Sequence, residues 1–163
     1  CSRKRSVMVN LRFVKDIDSD TIFHWRNDPW IVSLSSTGKT ITQNQHDRWY
    51  PQMLDRSRHL FWIIESNFGE EMGVARVDLE TKETAVITVY LLKEFVGKGR
   101  GPKAIIMATN KAFEWWPNLK IINAFIRPDN TISIQTFLKV GYSKDICEAP
   151  KKEIKMSFLG RGL

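Results

Sequence analysis

The stretch from Thr84 to Thr109 constrains the fold most, because it predicts a strand, a glycine-rich loop and a helix in direct succession. Its first part is mostly β-branched or apolar, which favours a strand. Gly97, Gly99 and Gly101 follow, and glycine can accept a positive φ angle and let the backbone approach a ligand closely. Pro102 suits the first turn of a helix, where its missing N–H is not needed. Free amides and the positive helix end would converge on one point, which predicts a phosphate site.

Two known phosphate-binding motifs can be compared with this loop. The pattern G-x-x-x-x-G-K-[ST] of nucleotide triphosphate loops does not occur. Residues 99–104 fit the dinucleotide pattern G-x-G-x-x-A. That pattern normally opens a long domain of alternating strands and helices, whereas only about a third of this chain follows it. A dinucleotide-binding domain is therefore the weaker alternative, and a turn without any ligand is a further one.

The segments around the loop predict a layered fold. Three strands separated by polar turns are expected over 59–65, 73–79 and 84–92. After the loop, Ile105, Ile106, Ala108 and Ala112 repeat at helical spacing and are expected in the core. A further strand is expected over 120–126 and a second helix over 130–139. This order predicts an α+β fold with a mixed central β-sheet flanked by helices.

The arrangement resembles the GCN5-related N-acetyltransferases (GNAT) over most of the chain, most closely from Ala85 to Tyr142. The family's loop has the form [RQ]-x-x-G-x-[GA]. Residues 96–101 match it, except that Val96 stands where Arg or Gln is usual. The resemblance implies a GNAT-type sheet, α+β or α/β in class, with two splayed strands that hold the cofactor. It also implies an acyltransferase that moves the acetyl group of acetyl-CoA onto an amine.

The same resemblance implies which residues contact acetyl-CoA. The pyrophosphate is expected on the loop and the pantetheine arm along the splayed strands. Asn130 is expected at the pantetheine arm and Ser133 near the phosphates, although Asn130 would also serve as a helix N-cap. The predicted cofactor-binding residues are Tyr90, Leu91, Leu92, Val96, Gly97, Lys98, Gly99, Arg100, Gly101, Asn130 and Ser133.

The catalytic groups are harder to assign from the resemblance. The family often uses a tyrosine in the last helix to protonate the departing thiolate, and Phe137 occupies that position here. Many relatives carry a carboxylate on the strand before the loop, where this chain has Ala85–Thr88. Asp78 and His46 are left as candidate catalytic bases. A thiol with a pKa of about 8.5 is already a fair leaving group, so the missing tyrosine is tolerable.

The N-terminal half is expected to select the acceptor. This half shows a looser resemblance to the N-acetyltransferases that act on nucleotide-linked amino sugars in pseudaminic-acid-type pathways. The resemblance lies in Trp25–Asp28, in Ser33–Ser36 and in the trio His46, Trp49 and Tyr50. The trio is spaced three and four residues apart and shares one helical face, which is either a packing surface or a wall of the acceptor pocket. The predicted substrate-binding residues are Arg26, His46 and Trp49, with Lys39 completing a cationic patch for phosphates.

Composition limits the remaining function classes. The chain has 163 residues, 42% of them hydrophobic, and we expect one domain over 8–163 after a disordered basic tail at 1–7. The net charge of +7 suits ligands that carry several phosphates, and no nucleic-acid-binding module is recognisable. Cys1, Cys147 and three scattered histidines lack metal-ligand spacing, so no metal is expected. No apolar run is long enough for a membrane span, and we expect a cytoplasmic monomer or homodimer.

Three functions stay open at this point. The first is N-acetylation of a nucleotide-linked amino sugar. The second is acetylation of protein N-termini or aminoglycosides, whose cationic acceptors would need an acidic pocket. The third is a non-catalytic CoA-binding domain, which the missing tyrosine and strand carboxylate would explain.

Overall fold

The structure is a computed structural model that describes residues 8–145 and 153–160. The predicted basic tail at 1–7 and Cys147 lie outside these residues. The strands are β1 (Val9–Phe13), β2 (His59–Ser66), β3 (Glu71–Leu79), β4 (Thr84–Leu91), β5 (Ile121–Ile126), β6 (Ser143–Lys144) and β7 (Ile154–Leu159). The α-helices are α1 (Ser19–Arg26), α2 (Pro29–Leu34), α3 (Gln43–Trp49), α4 (Arg100–Trp115) and α5 (Thr131–Lys139). Short 3₁₀ turns cover Asp16–Asp18, Tyr50–Leu54 and Lys93–Phe95.

The described strands form one mixed sheet in the order β1-β2-β3-β4-β5-β7-β6. β4 and β5 are parallel and are joined through α4, while the other neighbouring strands pair antiparallel. A parallel pair needs such a crossover because a tight turn can join only antiparallel strands. The predicted mixed sheet with flanking helices is confirmed.

β4 and β5 separate part-way along their length. Their pairing ends at Val86 and Asn123, although β4 continues to Leu91 and β5 to Ile126. Over the same stretch β4 stays paired with β3, and β5 with β7. A wedge-shaped gap therefore opens in the sheet, and its apex points towards the start of both strands. This gap is the splay that the sequence resemblance implied.

The sheet carries a hydrophobic layer on each face. Side chains of α4 and α5 join the larger layer, which includes the buried Trp62. On the opposite face, α1, α3 and the Tyr50–Leu54 turn pack over Phe61 and Val74. Alternate residues of β2 thus serve different layers, as the two-residue period of a strand requires. The N-terminal helices are held on the face of the sheet from which an acceptor could reach β4.

Glycine and proline set the bounds of two helices. α4 begins at Arg100, before Pro102, because Gly99 with φ of 75° takes the left-handed N-cap position. The capping box Thr42–Gln45 predicts a helix over 43–54 that Pro51 kinks or ends, and α3 ends at Trp49 and continues as a 3₁₀ turn. Pro51 lacks the N–H that an α-helix would use there.

The predicted core face of α4 is correct for most of its members. Ile105, Ala108 and Ala112 are buried, whereas Ile106 is 45% exposed. Consecutive helical residues point about 100° apart, and the buried face of α4 includes Ala104 and Ile105, so Ile106 lies beyond its edge. The expectation that Ile106 belongs to the core is wrong for this reason.

Candidate active site

The gap between β4 and β5 opens into a large cavity with a volume of about 1120 Å³. Pockets for one small ligand usually measure about 300–1,000 Å³, so this space suits two substrates. Its lining extends from the glycine loop along both diverging strands to α1, α2 and α3. The cavity therefore joins the expected cofactor region to the expected acceptor region.

Backbone groups of β4 face this cavity. The Leu92 N–H donates to the Met72 carbonyl at 2.9 Å, on the β3 side. Because adjacent residues of a strand direct their backbone groups to opposite sides, the N–H and C=O groups of Val89 and Leu91 turn towards the gap. The Leu91 carbonyl accepts a hydrogen bond from the Trp30 indole N–H at 3.3 Å. The Val89 N–H is thus directed into the space where a thioester carbonyl would need a donor.

The glycine loop uses the freedom of its glycines at two of three positions. Gly97 and Gly99 have positive φ angles of 89° and 75°. Gly101 instead lies in the first turn of α4, where an added Cβ would stand 3.9 Å from Leu91 and Thr136, in ordinary contact. All three glycines line the cavity. A side chain at Gly101 would therefore meet no obstacle within the protein itself.

Most of the predicted cofactor-binding residues line the cavity, namely Tyr90, Leu91, Val96, Gly97, Gly99, Gly101, Asn130 and Ser133. Leu92, Lys98 and Arg100 are not among its lining residues. Arg100 folds back over the loop, with its guanidinium 5.4 Å from the Phe95 ring and a 3.4 Å bond to the Phe95 carbonyl. The backbone of the loop, more than its cationic side chains, forms the cavity wall.

Asn130 caps a helix and also lines the cavity. Its Oδ1 accepts a hydrogen bond from the Ser133 N–H at 3.2 Å and so caps α5. Both residues also line the cavity. Since the cap uses only the oxygen of the Asn130 amide, its NH₂ group is compatible with a ligand contact.

Phe137 lines the cavity where the family pattern has a tyrosine. Its ring packs edge-on against Tyr142, with centroids 4.9 Å apart. The Tyr142 hydroxyl is buried and shares a 2.7 Å hydrogen bond with Thr109. The neighbouring tyrosine is therefore engaged in the core and does not substitute for the missing acid.

The N-terminal wall of the cavity carries an arginine without an acidic partner. The Arg26 guanidinium lies 4.0 Å from the centroid of the Trp49 ring, and both residues line the cavity together with Lys39. Among the described residues, Arg26 makes no hydrogen bond or ion pair. Burial lowers its pKa, and the charge of Arg76 lowers it further. Arg26 and Trp49 are thus placed where the sequence expects acceptor-binding residues.

His46 lies on the same helical face but occupies a different environment. It is fully buried, its Nε2 is 3.0 Å from the Ser19 hydroxyl, and its ring stacks on Tyr50 with centroids 5.3 Å apart. Burial lowers its pKa, and the charge of Arg26 adds to this effect. His46 does not line the cavity. The packing interpretation therefore describes His46, which is neutral and is no member of a cationic patch, whereas Trp49 forms a wall.

Asp78 is held by two neighbouring side chains. Its carboxylate accepts a 2.8 Å bond from Arg76 Nε and lies 2.8 Å from His59 Nδ1. Arg76 and Asp78 share one side of β3, as their spacing predicts. Asp78 does not line the cavity. Both candidate bases are therefore placed away from the space in which an amine would be acetylated.

Two groups at the cavity were missed by the sequence reasoning. Trp30 contributes the indole that bonds to β4, a contact between residues far apart in the chain. Tyr90 was predicted to bind the cofactor, but no role was predicted for its hydroxyl, which is buried without a hydrogen-bond partner among the described residues. The strand pairing could have revealed it. Thr88 pairs with Arg76, and residues two apart on a strand share a face, so Tyr90 belongs beside Arg76.

The end of α2 and the loop that follows it are tied to both halves of the cavity. The Asn27 side chain makes two hydrogen bonds, of 2.9 and 2.8 Å, with the backbone of Ile41. Arg127, at the end of β5, donates to the Ser33 carbonyl at 3.1 Å. These contacts place the loop across one side of the cavity, between the acceptor wall and the cofactor strands.

Within residues 8–145 and 153–160, no group of three or more His, Cys, Asp or Glu side chains could hold a metal ion. In the same part of the chain, no helix is long and apolar enough to cross a membrane.

Solved structures with the same architecture cover nearly the whole chain. A domain from Methanocaldococcus jannaschii is 21% identical with a TM-score of 0.81, over 94% of this chain and 99% of that one. A spermidine N-acetyltransferase from Vibrio cholerae, in complex with CoA and spermine, is 16% identical with a TM-score of 0.80, over 93% and 95%. An aminoglycoside acetyltransferase in complex with coenzyme A and kanamycin is 22% identical with a TM-score of 0.78, over 93% and 95%. At these identities the likeness establishes the fold.

The family is established by a comparison of the sequence itself. No curated protein matches this sequence. The family model described as "Acetyltransferase (GNAT) domain" matches residues 9–143, which include the N-terminal helices, the splayed strands and the glycine loop. The chain therefore belongs to the GNAT family of acetyltransferases, and its predicted class of enzyme, an acyltransferase, is confirmed.

Proposed function

We propose that this enzyme transfers the acetyl group of acetyl-CoA to the amino group of a nucleotide-linked amino sugar, by direct attack of the amine on the thioester. The divergence of β4 and β5 beyond Val86 and Asn123, which leads to the glycine loop, is the observation that carries the proposal. The pantetheine arm has amides that can pair with the backbone groups of the gap. The pyrophosphate then lies against the amides of Gly97 to Gly101, at the N-terminus of α4.

The backbone of β4 supplies the electrostatic part of the mechanism. The Val89 N–H turns towards the gap and would donate to the thioester oxygen as negative charge develops on it. Such a donor is worth most where water is excluded, because a preorganised dipole needs no reorganisation during the reaction. The amine must be neutral to attack, so a proton has to leave it first.

The proton of the amine leaves through water. His46 and Asp78 are the base candidates that the sequence predicts, but their placement outside the cavity lining argues against direct contact with the amine. Phe137 has no proton to give to the departing thiolate. Because the pKa of a thiol is about 8.5, the thiolate is a fair leaving group without an acid beside it. A water-mediated route therefore fits the residues present better than a fixed acid–base pair does.

The charge of the N-terminal wall supports an acceptor that carries phosphate. Arg26 and Lys39 bring positive charge to the cavity, and the Trp49 ring supports the Arg26 guanidinium there. An arginine fork is well suited to phosphate oxygens. Spermine and kanamycin, which are present in the complexes of two structurally similar acetyltransferases, are polycations. Such acceptors would be repelled by an arginine that has no acidic partner.

Acetyl-CoA consumption with a panel of acceptors tests the proposal. The panel comprises nucleotide-linked 4-amino sugars, the same sugars without the nucleotide, spermidine, an aminoglycoside and a peptide with a free N-terminus. We expect turnover with the nucleotide-linked sugars alone. Turnover with the polycations or the peptide would contradict the assignment of the acceptor, and absence of turnover with saturable CoA binding would favour a non-catalytic CoA-binding domain.

Arg26→Ala measures the acceptor contact separately from the cofactor contact. If Arg26 pairs with a phosphate, the acceptor KM should rise about 10- to 150-fold, corresponding to about 1.5–3 kcal/mol. The affinity for acetyl-CoA should stay nearly unchanged. Arg48→Ala is the matched control, because Arg48 lies on α3 but does not line this cavity. Equal losses for both substrates in Arg26→Ala would assign Arg26 a structural role.

A further inference from the structure

One buried polar atom beside the cavity has no structural explanation. In the part of the chain that the structure describes, His46 Nδ1 and the Tyr90 hydroxyl oxygen are the buried side-chain nitrogen or oxygen atoms without a hydrogen-bond partner. A buried hydroxyl without a partner costs free energy that a phenylalanine would avoid. Tyr90 nevertheless keeps its hydroxyl on β4, the strand that faces the gap. The surroundings of this hydroxyl therefore matter.

Two guanidinium groups belong to the same region. Arg76 pairs with Thr88, and Tyr90 lies two residues farther along β4, so Arg76 and Tyr90 share one face of the sheet. Burial raises the pKa of Tyr90, and the charges of Arg76 and Arg26 act in the opposite direction. The same two groups flank one ring, at 4.0 Å for Arg26 and 5.2 Å for Arg76 from the Trp49 centroid. Arg76 also lies 5.7 Å from the centroid of Phe61. Arg26, Arg76, Trp49 and Tyr90 form a cluster that we call the arginine–tyrosine cluster.

The cluster carries more positive charge than its partners neutralise. Asp78 pairs with Arg76 and simultaneously contacts His59, while Arg26 pairs with no carboxylate among the described residues. Each guanidinium disfavours the charge of the other, and burial strengthens this repulsion because it removes screening water. An anion between Arg26 and Tyr90 would relieve the repulsion and give the hydroxyl an acceptor for its proton.

We propose that Arg26 and the Tyr90 hydroxyl form a subsite for an anionic oxygen of the acceptor, either a carboxylate or a phosphate. The Arg26 N–H groups and the Tyr90 O–H donate to this oxygen, and the Trp49 ring supports the guanidinium. The inference rests on the proposed function, since it needs an acceptor in the cavity. It adds a new contact and a geometric consequence to that function.

The consequence concerns the shape of the acceptor. Tyr90 stands between Val89 and Leu91, whose backbone groups turn towards the thioester. An anion bound at its hydroxyl is only one tyrosine side chain away from the strand at which the acetyl group is transferred. The acceptor's amine and anionic group must therefore be separated by little more than one sugar ring.

The subsite is shielded from solvent in this structure, because the Tyr90 hydroxyl is buried. A ligand reaches it only if a neighbouring side chain shifts. The Arg26 side chain can shift, because no hydrogen bond or ion pair with a described residue holds it. Its guanidinium can also slide across the Trp49 ring without losing the stacking contact. Asp78, in contrast, anchors Arg76.

Tyr90→Phe is the decisive variant, because it removes one oxygen atom and keeps the ring. Tyr50→Phe is the matched control, since its hydroxyl donates to the Lys15 carbonyl at 2.6 Å and does not line the cavity. Thermal unfolding is followed for protein saturated with CoA, at constant ionic strength, with increasing inorganic phosphate or acetate. Arg26→Gln is measured in parallel, and the affinity of every variant for CoA is measured by calorimetry.

We expect one of the two anions to stabilise the wild type, with an affinity about 10- to 100-fold weaker in Tyr90→Phe and in Arg26→Gln. Without the anion, Tyr90→Phe should unfold at the same temperature as the wild type or higher. Tyr50→Phe should unfold at a lower temperature and keep the anion affinity. Stabilisation by phosphate alone identifies a phosphate-bearing acceptor, and stabilisation by acetate identifies a carboxylate.

Equal stabilisation of the wild type, Tyr90→Phe and Arg26→Gln, or no stabilisation by either anion, would overturn the subsite. A loss of stability in Tyr90→Phe with unchanged anion affinity would show that the hydroxyl is structural. These outcomes are separate from a failure of the proposed function, which would appear as absent CoA binding or as turnover of polycationic acceptors.

Discussion

Replacing Gly101 by alanine tests whether the backbone at the start of α4 touches the cofactor. The new Cβ would lie 3.9 Å from Leu91 Cδ1 and from Thr136 Cγ2, which is ordinary van der Waals contact. Gly101 has no positive φ, so alanine fits its backbone. Alanine is favoured over glycine in a helix by about 0.5–1 kcal/mol. We therefore expect the variant to be at least as stable as the wild type, with a Tm up to about 4 °C higher.

Affinity for acetyl-CoA should change in the opposite direction. If a pyrophosphate oxygen approaches the amides of this turn, a methyl group at Gly101 keeps it away from them. Loss of one hydrogen bond to a charged group costs about 1.5–3 kcal/mol, so the Kd should rise about 10- to 150-fold. Isothermal titration calorimetry measures the Kd, and differential scanning calorimetry measures the stability of the same samples.

Alanine substitutions at two further glycines distinguish the effect of backbone strain from the effect of a lost cofactor contact. Gly99 has φ of 75° beside the cavity, and Gly69 has φ of 80° in the β2–β3 turn, with nothing within 4 Å of a new Cβ. Alanine at either position suffers left-handed strain of about 1–2 kcal/mol. Only Gly99→Ala should also lose acetyl-CoA affinity. An unchanged Kd in Gly101→Ala would refute the idea that the cofactor is held against this backbone.

Three other changes give distinct expectations. Gly73→Ala should lower the free energy of unfolding, measured with denaturant, by about 1–3 kcal/mol or more, because the new Cβ would collide with the Tyr90 carbonyl. Asn130→Asp keeps the oxygen that caps α5 but removes the NH₂ group, so it should keep its Tm and raise the acetyl-CoA KM; Asn130→Ala should also lose about 1 kcal/mol of stability. The pKa of buried His46 is lowered, so below about pH 6.5 the unfolded chain binds a proton at His46 that the folded chain does not. The wild type should therefore lose stability as the pH falls, and His46→Phe should lose less stability over the same pH range.

Each of these expectations has a clear contrary result. A stable Gly73→Ala protein would mean that β3 and β4 can move apart without cost. An unchanged KM in Asn130→Asp would leave Asn130 as a cap alone. A loss of stability just below pH 6.5 that is as steep in His46→Phe as in the wild type would place its origin in groups other than His46. Asp18, whose pKa is also lowered, would act only at a more acidic pH, as it falls towards about 4.

The cofactor half could be predicted because its signals are local. A β-branched run, positive-φ glycines and an N-cap each act within a few residues, and they identified β4, the loop and the start of α5. The error at Ile106 came from counting apolar residues without resolving neighbours on the helix. The splay itself needs the pairing of β3 with β4 and of β7 with β5, which only the assembled sheet defines.

The acceptor half was predicted less well because it is built from distant segments. His46 and Trp49 share one helical face, yet one is fully buried and the other lines the cavity. Their spacing could not distinguish these positions, since the difference is set by how α3 tilts on β2 and β3. Arg26 was identified from its neighbours in sequence, but its isolation from carboxylates is visible only in three dimensions.

This division between local and assembled features has a consequence for specificity. If the loop holds acetyl-CoA through its backbone amides, as we propose, side chains near it can vary with little effect on the cofactor. The arginine–tyrosine cluster consists of side chains on α1, α3, β3 and β4, and each can be replaced without altering the loop. A natural or engineered variant with the same loop but with a carboxylate in place of Arg26 should accept cationic amines and reject anionic ones. Exchange at this single position, measured as the ratio of kcat/KM for an amino-sugar phosphate and spermidine, would reverse the preference if charge at the cluster selects the acceptor, and would leave the ratio unchanged if selection lies elsewhere.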